Sequence, residues 1–168
     1  MYREAEPILV LTMGGTIDKE YFDALSSYQV GSSVVRQIVD TARMSRPVLV
    51  VEVLRKDSLD MTDKDRDALV GMVRASALSR IIITHGTDTM IETAAALAGI
   101  EGKTIALVGA MAPARFHESD AAFNLGMAVA VVQTVAPGVY ITMNGAVFPA
   151  GLAVKDRERQ MFVARDAA

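Results

Sequence analysis

Five short apolar segments constrain the fold of this chain more than any other feature. They are rich in β-branched residues and predict strands at 7–13 (PILVLTM), 48–54 (VLVVEVL), 80–84 (RIIIT), 104–108 (TIALV) and 138–143 (GVYITM). They are apolar almost throughout, as parallel strands covered on both faces should be. The longer segments between them predict helices at 32–44, 62–77, 88–98 and 120–135. This alternation predicts an α/β fold with a doubly wound, mostly parallel sheet and helices on both faces.

Composition narrows the class of protein. A length of 168 residues suits one domain, so residues 1–168 are expected to form a single domain with an aliphatic core. A net charge of -3 argues against a nucleic-acid partner. The chain has no cysteine, which excludes disulfides and thiol chemistry and fits a reducing compartment. The first residues lack a signal-like segment and no apolar run reaches membrane-spanning length, so the prediction is a cytoplasmic protein that binds no membrane.

Polar and glycine-rich stretches follow the predicted strands. In doubly wound sheets the ligand binds beyond the carboxyl ends of the strands, so these stretches predict a site at one edge. They lie at 12–16, 57–60, 84–90 (THGTDTM), 109–120 (GAMAPARFHESD) and 144–151 (NGAVFPAG).

The first of these stretches, TMGGT, admits several interpretations by itself. It lacks the spacing of the dinucleotide and P-loop motifs, so phosphate binding is a distant alternative. A tight turn without chemistry and an exposed nucleophile, Thr16, both remain open. The following residues, 18–31, show no helical period and predict a long polar loop that closes as a lid.

The stretch at 84–90 predicts a strand, a turn at Gly86 and a helix that begins near Asp88. Thr87 and Asp88 would then lie at a helix N-terminus, where free N–H groups stabilise negative charge. The alternative is that one of them only caps the helix, with Glu92 placed for a capping box. Thr62 is the predicted cap of the preceding helix, and Ser119 or Asp120 begins the last one.

Histidine and lysine side chains are two further candidates for chemistry in this sequence. His85 and His117 match no common metal-ligand spacing, so no metal site is predicted. Lys155 lies among charged residues and, by itself, is most simply a solvated lysine.

With these residues in place, the chain resembles the bacterial-type L-asparaginases. The resemblance is carried by TMGGTI at 12–17, THGTDTM at 84–90 and VGAMAP at 108–113, with SYQVG at 27–31 similar to the family's lid and DSLDM at 57–61 to its substrate-carboxylate loop. It covers about residues 7–160 and only the larger N-terminal domain of the family. The smaller C-terminal domain is expected to be absent.

The resemblance implies roles for individual residues. Thr16 matches the nucleophile, Tyr28 the lid tyrosine, and Thr87, Asp88 and Lys155 a Thr–Lys–Asp arrangement. Substrate contacts are implied at Gly15, Asp57, Ser58, Leu59, Gly86 and Ala110. Ser58 would hold the substrate α-carboxylate and Asp88 would meet its α-amino group. A threonine hydroxyl needs a neighbour that takes its proton, and a lysine does this when burial keeps it neutral. No metal or organic cofactor is expected.

The chain departs from the family pattern at three points. Leu59 stands where the family usually has glutamine, Met13 is an extra residue in the first signature, and the acid that a partner's C-terminal domain supplies is missing. Glu20, Asp18 and Asp23 are candidates to replace that acid.

The predicted function is therefore an amidohydrolase that converts L-asparagine, and possibly L-glutamine, to the acid and ammonia through an acyl-threonine ester. The alternative is a non-catalytic module that binds a small amino acid at the same site. An apolar helix at 120–135 predicts that the chain forms a homodimer or homotetramer.

Overall fold

A six-stranded sheet with helices on both faces forms the body of the protein. The computed structural model describes residues 5–165. The strands are β1 Ile8–Gly14, β2 Lys19–Phe22, β3 Ser27–Val30, β4 Val48–Lys56, β5 Arg80–Thr84, β6 Thr104–Val108, β7 Gly138–Met143, β8 Ala146–Pro149, β9 Ala153–Asp156 and β10 Met161–Ala164. The helices are α1 Val35–Ala42, α2 Asp63–Ala75, α3 Met90–Ala96 and α4 Ala121–Thr134. All five predicted strands and all four predicted helices are present.

The sheet has the strand order β4-β1-β5-β6-β7-β8. The first five strands run parallel, and β8 pairs antiparallel with β7 at the edge. The doubly wound, mostly parallel sheet is therefore confirmed. The chain passes from β1 to the β4 side and then back across β1 to β5, so the winding direction reverses between β1 and β5. Ligands of such folds bind at this reversal point.

Alternation of side chains along the strands divides the core into two layers. In β1, Ile8 and Val10 face one side, where α1 and α4 cover the sheet. Leu9 and Leu11 face the other side, where α2 and α3 cover it. Because both faces are covered, the central strands must be apolar at every position, which is the pattern the sequence shows.

The helix starts agree in part with the sequence. Thr62 caps α2 through a capping box with Asp65, as predicted for its N-cap. The predicted start near Asp88 is wrong by two residues: α3 begins at Met90, and its N-cap, Thr89, makes no side-chain capping bond. Thr87 and Asp88 instead lie in the turn before the helix. The interpretation that one of them caps α3 is therefore wrong, and their side chains are free for other contacts.

Two antiparallel hairpins were not predicted from the sequence. Residues 18–31 were predicted as a long loop, but β2 and β3 pair there, with Tyr21 opposite Tyr28. Near the other end of the chain β9 pairs with β10, with Phe162 opposite Lys155. Phe162 is buried and anchors this second hairpin on the core. No helix within residues 5–165 is long and apolar enough to cross a bilayer.

Candidate active site

The turn after β1 requires glycine at two consecutive positions. Gly14 has φ +89° and Gly15 has φ +92°, a region that L side chains rarely adopt. The Gly15 N–H donates to the Lys56 carbonyl at 3.0 Å, which ties the turn to the end of β4. A short 3₁₀ turn, Thr16–Asp18, begins at once. The two glycines thus place the Thr16 hydroxyl at the carboxyl edge of the sheet.

Close backbone contacts join this turn to the neighbouring strand ends. A β-carbon on Gly15 would overlap the backbone of Gly86, which follows β5. A β-carbon on Gly86 would in turn lie 2.6 Å from Cβ and Oγ of Ser58, which follows β4. Ser58 is fully buried, and its hydroxyl has no hydrogen-bond partner among the described residues. Three strand ends therefore meet with only glycine-sized spacing between them.

Lys155 joins the turn after β5 from a distant part of the chain. Its Nζ donates to Thr87 Oγ1 at 2.8 Å and to Asp88 Oδ1 at 2.8 Å. The side chain of Lys155 is 16% exposed, so the solvated-lysine interpretation does not describe it. Arg157 also reaches Asp88, with Nη1 3.1 Å from Oδ1. A threonine, an aspartate and a lysine are thereby held in mutual contact.

A cavity of about 230 Å³ opens on this cluster. Its lining residues come from the ends of β1, β5 and β6 and from the second hairpin: Thr16, Thr87, Asp88, Met111, Lys155, Arg157 and Gln160. The volume suits an amino acid rather than a nucleotide. The cavity lies at the reversal point between β1 and β5, where the fold predicts a ligand. A larger apolar groove, of about 530 Å³, lies between α1 and α4 and holds none of these residues.

A buried hydrogen-bond chain supports the β5 side of the cavity. His85 Nδ1 lies 2.7 Å from the Gly86 carbonyl oxygen, so Nδ1 carries the proton and donates. Its Nε2 then accepts from Thr93 Oγ1 at 2.7 Å, and Thr93 accepts from Arg66 Nε at 3.2 Å. Burial lowers the pKa of His85 to about 4, so the ring is neutral near pH 7. The chain fixes the direction of the Gly86 carbonyl immediately before Thr87.

His85 is thus a structural group. His117 is exposed on the loop after β6. Within residues 5–165, no three metal-ligating side chains converge.

Seven of the eleven site residues named from the sequence lie outside the cavity lining. Three of them, Gly15, Ser58 and Gly86, make the close backbone contacts between strand ends described above. Tyr28 is 51% exposed on β3, and its ring meets Tyr21 and Phe116 edge to face, with ring centroids 5.4 and 5.8 Å apart. Leu59 is 68% exposed. The remaining two are Asp57 and Ala110.

Asp57 and Ala110 have structural contacts that account for their positions. Asp57 makes an ion pair with Lys19 at 2.7 Å. Burial alone would raise the pKa of this carboxyl, but hydrogen bonds from Lys19 and the Leu59 N–H hold it below its usual range. Ala110 is buried beside Ile17 and Ala121. These two residues shape the strand ends without reaching the cavity.

The three acids considered as replacements for a partner's carboxylate also lie outside the cavity lining. Asp18 is buried and accepts from the Val34 N–H at 3.0 Å, and burial raises the pKa of its carboxyl. Glu20 pairs with Arg115 at 3.4 Å, and Asp23 is exposed at the tip of the hairpin. In this arrangement Asp88 is the one carboxylate among the described residues that line the cavity.

Sequence reasoning missed Met111, Arg157 and Gln160. Met111 lies inside the third signature, VGAMAP at 108–113, and in one of the polar stretches expected at the strand ends, but it was not named as a site residue. Arg157 and Gln160 lie in the turn between β9 and β10, and Gln160 has φ +51°. An antiparallel hairpin around KDRERQ would have predicted them, but the run of charges resembles an ordinary solvated surface.

Comparison with known proteins identifies the family. A family model described as "Asparaginase, N-terminal" matches residues 7–164, nearly the whole chain. The chain belongs to the asparaginase family. The resemblance stated from the three motifs is thereby confirmed.

Individual asparaginase relatives agree with this assignment. The chain is 29% identical over 161 residues to a glutaminase-asparaginase of Acinetobacter glutaminasificans, covering 85% of this chain and 47% of the relative. It is 33% identical over 151 residues to L-asparaginase 2 of Escherichia coli, covering 83% and 43%. The thermostable L-asparaginase from Thermococcus kodakarensis has the same fold, with a TM-score of 0.82 at 23% identity over 96% of this chain and 52% of that one. The chain spans about half the length of these relatives.

Proposed function

We propose that this asparaginase-family chain is an amidohydrolase that converts L-asparagine and water to L-aspartate and ammonia through an acyl-threonine ester. The observation that carries the proposal is the position of Lys155 Nζ, 2.8 Å from both Thr87 Oγ1 and Asp88 Oδ1, at a cavity that Thr16 also lines. The name of the Acinetobacter relative makes L-glutamine the second substrate to test.

The chemistry assigns one role to each group. Thr16 Oγ attacks the side-chain amide carbon, its proton is transferred away, and the C–N bond breaks as protonated nitrogen leaves as ammonia. Water then attacks the threonine ester and releases aspartate. Thr87 takes the proton of the attacking group and passes its own hydroxyl proton to Lys155 Nζ. Asp88 holds Lys155 Nζ beside Thr87 through the contact at 2.8 Å.

The β2–β3 hairpin has a role in this proposal. Tyr28 lies on β3, outside the cavity, so the hairpin has to close for its hydroxyl to meet Thr16. Closure would also exclude bulk water from the ester intermediate.

Ammonia release from the purified protein tests the proposal. L-asparagine, L-glutamine and D-asparagine are supplied to the wild type, Thr16→Ala and Lys155→Met. We expect ammonia from L-asparagine with the wild type and a loss of at least about 10²-fold in kcat in each variant, because each change removes a reacting or proton-handling group.

Lys103→Met is the matched control for Lys155→Met. Lys103 is also partly buried and hydrogen bonded, but it contacts carbonyls of Ser76 and Leu78 at the opposite edge of the sheet. Its replacement should leave ammonia release unchanged. Near wild-type turnover in Thr16→Ala would remove Thr16 from the mechanism.

A second candidate function is a non-catalytic module that binds a small amino acid. It is favoured by the carboxylate count: among residues 5–165, Asp88 is the single carboxylate that lines the cavity, and it already contacts two cations. Under this alternative the wild type binds L-aspartate in calorimetry but releases no ammonia from any of the three amides.

A further inference from the structure

Arg157 lies at the mouth of the active-site cavity and has no role in the mechanism above. It lies in the turn between β9 and β10, and its side chain is 70% exposed. Its Nη1 is 3.1 Å from Asp88 Oδ1. A guanidinium has five N–H donors in a planar fork, so donors remain for a ligand.

The charges around the cavity favour an anionic ligand group. In the part of the chain that the structure describes, the charged lining residues are one acid, Asp88, and two cations, Lys155 and Arg157. Both cations contact the same oxygen, Oδ1 of Asp88. The described residues place no hydrogen bond or ion pair on the second oxygen, Oδ2, which leaves it available to a substrate ammonium group.

The residues that follow β4 offer no side-chain donor in the lining of the cavity, so a carboxylate there needs a donor from another element. Ser58 is buried behind Gly86 and is not among the described residues that line the cavity. Leu59 has no side-chain donor, and its side chain is 68% exposed. Of the lining side chains, Arg157 is the one with a forked donor set that matches a carboxylate.

We propose that Arg157 is a specificity-determining residue that binds the free carboxylate of the substrate, so that the site selects primary amides that also carry an acid group. The inference rests on the proposed amide hydrolysis, whose site it shares. Asp88 Oδ2 then takes the substrate ammonium, and Lys155 stays with Thr87. An arginine that only neutralises Asp88 would instead affect charged and uncharged substrates alike.

The test compares two substrates that differ only in the carboxylate. L-asparagine has the free acid, and L-asparagine methyl ester keeps the ammonium and side-chain amide but lacks that charge. In Arg157→Met we expect KM for L-asparagine to rise by about 10-fold or more, the size of a lost hydrogen bond to a charged group, with little change in kcat. The value of kcat/KM for the methyl ester should stay within about 2-fold.

Two further variants sharpen this comparison. Arg157→Lys keeps the charge but loses the fork, so its KM for L-asparagine should lie between those of the wild type and Arg157→Met. Arg159→Met is the matched control, because Arg159 is an exposed arginine of the same turn and is absent from the cavity lining. It should match the wild type with both substrates. Equal losses of kcat/KM for the two substrates in Arg157→Met would overturn the inference.

Calorimetry with L-aspartate separates this inference from the proposed function. We expect the wild type to bind L-aspartate and Arg157→Met to bind it about 10-fold more weakly. If the wild type releases no ammonia but this difference holds, hydrolysis fails and the role of Arg157 stands. If ammonia is released but Arg157→Met binds L-aspartate like the wild type, the role of Arg157 fails alone. If the wild type does neither, both fail.

Discussion

Single hydroxyl groups decide the chemistry proposed for this site. Thr87 is 5% exposed, and its hydroxyl accepts from Lys155 while facing the cavity. Valine has nearly the same shape but offers no oxygen. We therefore expect Thr87→Val to lower kcat for L-asparagine at least about 10²-fold while the melting temperature changes little.

Thr104→Val is the matched control for this substitution. Thr104 is 7% exposed at the amino end of β6, the opposite edge of the sheet. It should keep wild-type turnover, measured as ammonia release. Wild-type turnover in Thr87→Val would show that the Lys155 contact has no part in the reaction.

His85 gives the protein a defined response to acid. Its pKa is lowered from 6.5 to about 4 by burial, with Arg66 close by as a further positive charge. Between these two values the unfolded chain binds the proton and the folded chain does not. The contribution of His85 to the free energy of unfolding is therefore fully present above about pH 6.5. It is lost as the pH drops toward 4, by on the order of 3 kcal/mol.

Urea denaturation at pH 7 and pH 4.5 checks this response in the wild type and His85→Gln. The variant lacks the titrating ring, so its free energy of unfolding should fall less between the two pH values. Equal losses in the two proteins would contradict the pKa given for His85.

Some site residues followed from the sequence, and others did not, for physical reasons. Thr16, Thr87 and Asp88 were named because polar residues after buried parallel strands meet at one edge. Lys155 needed the family resemblance, since its partners are 67 and 68 residues away and its neighbours are charged. Arg157 gave no signal, because only the β9–β10 turn directs it toward Asp88.

At the scale of elements, the burial of a strand determined whether its sequence predicted it. The buried strands are apolar almost throughout, and their predicted ends agree with the structure to within about two residues. The hairpin strands β2 (KEYF) and β3 (SYQV) mix charged, polar and aromatic residues over four positions each, without a glycine turn between them. Such short strands have no buried face to impose a pattern, so the segment looked like a loop.

The β2–β3 hairpin is expected to close over bound ligand. Its tip, residues 21–26, is exposed, while Arg115 holds its base by donating to the carbonyls of Asp18 and Ser32 at 3.4 and 3.1 Å. Saturating L-aspartate should therefore slow proteolytic nicking between residues 21 and 28, because closure orders the tip.

Limited chymotrypsin digestion followed by mass spectrometry measures this effect. Acetate at the same concentration is the control, since it lacks the ammonium group expected to bind Asp88. Nicking at an unchanged rate with L-aspartate would count against a lid.

At the scale of the whole molecule, strand order determines where the site forms. The alternation of strands and helices predicted the winding and its carboxyl edge, and the reversal between β1 and β5 lies beside Thr16 and Thr87. The antiparallel edge strand β8 was not predicted, because AVFP is short and contains proline. Cytoplasmic location stays a prediction from composition.

Self-association also stays a prediction at this scale. Helix α4 buries one side on the sheet, while Phe123 on its outer side is 65% exposed beside alanine and glycine. Because large apolar surfaces are rare on monomers, we expect a particle of at least twice the mass of the chain. Light scattering at micromolar concentration measures this, and a particle with the mass of one chain would contradict it.

The long sequence separation of Lys155 from its partners has a consequence for biosynthesis. The six-stranded sheet ends at Pro149, so a growing polypeptide holds every strand of that sheet, with Thr16 and Thr87 just beyond the ends of β1 and β5, before Lys155 leaves the ribosome. The β9–β10 hairpin then adds Lys155 and Arg157 together. A nascent chain therefore has the strand scaffold and Asp88 before it has the two cations that contact Asp88, and the proposed reaction cannot begin until that hairpin has formed.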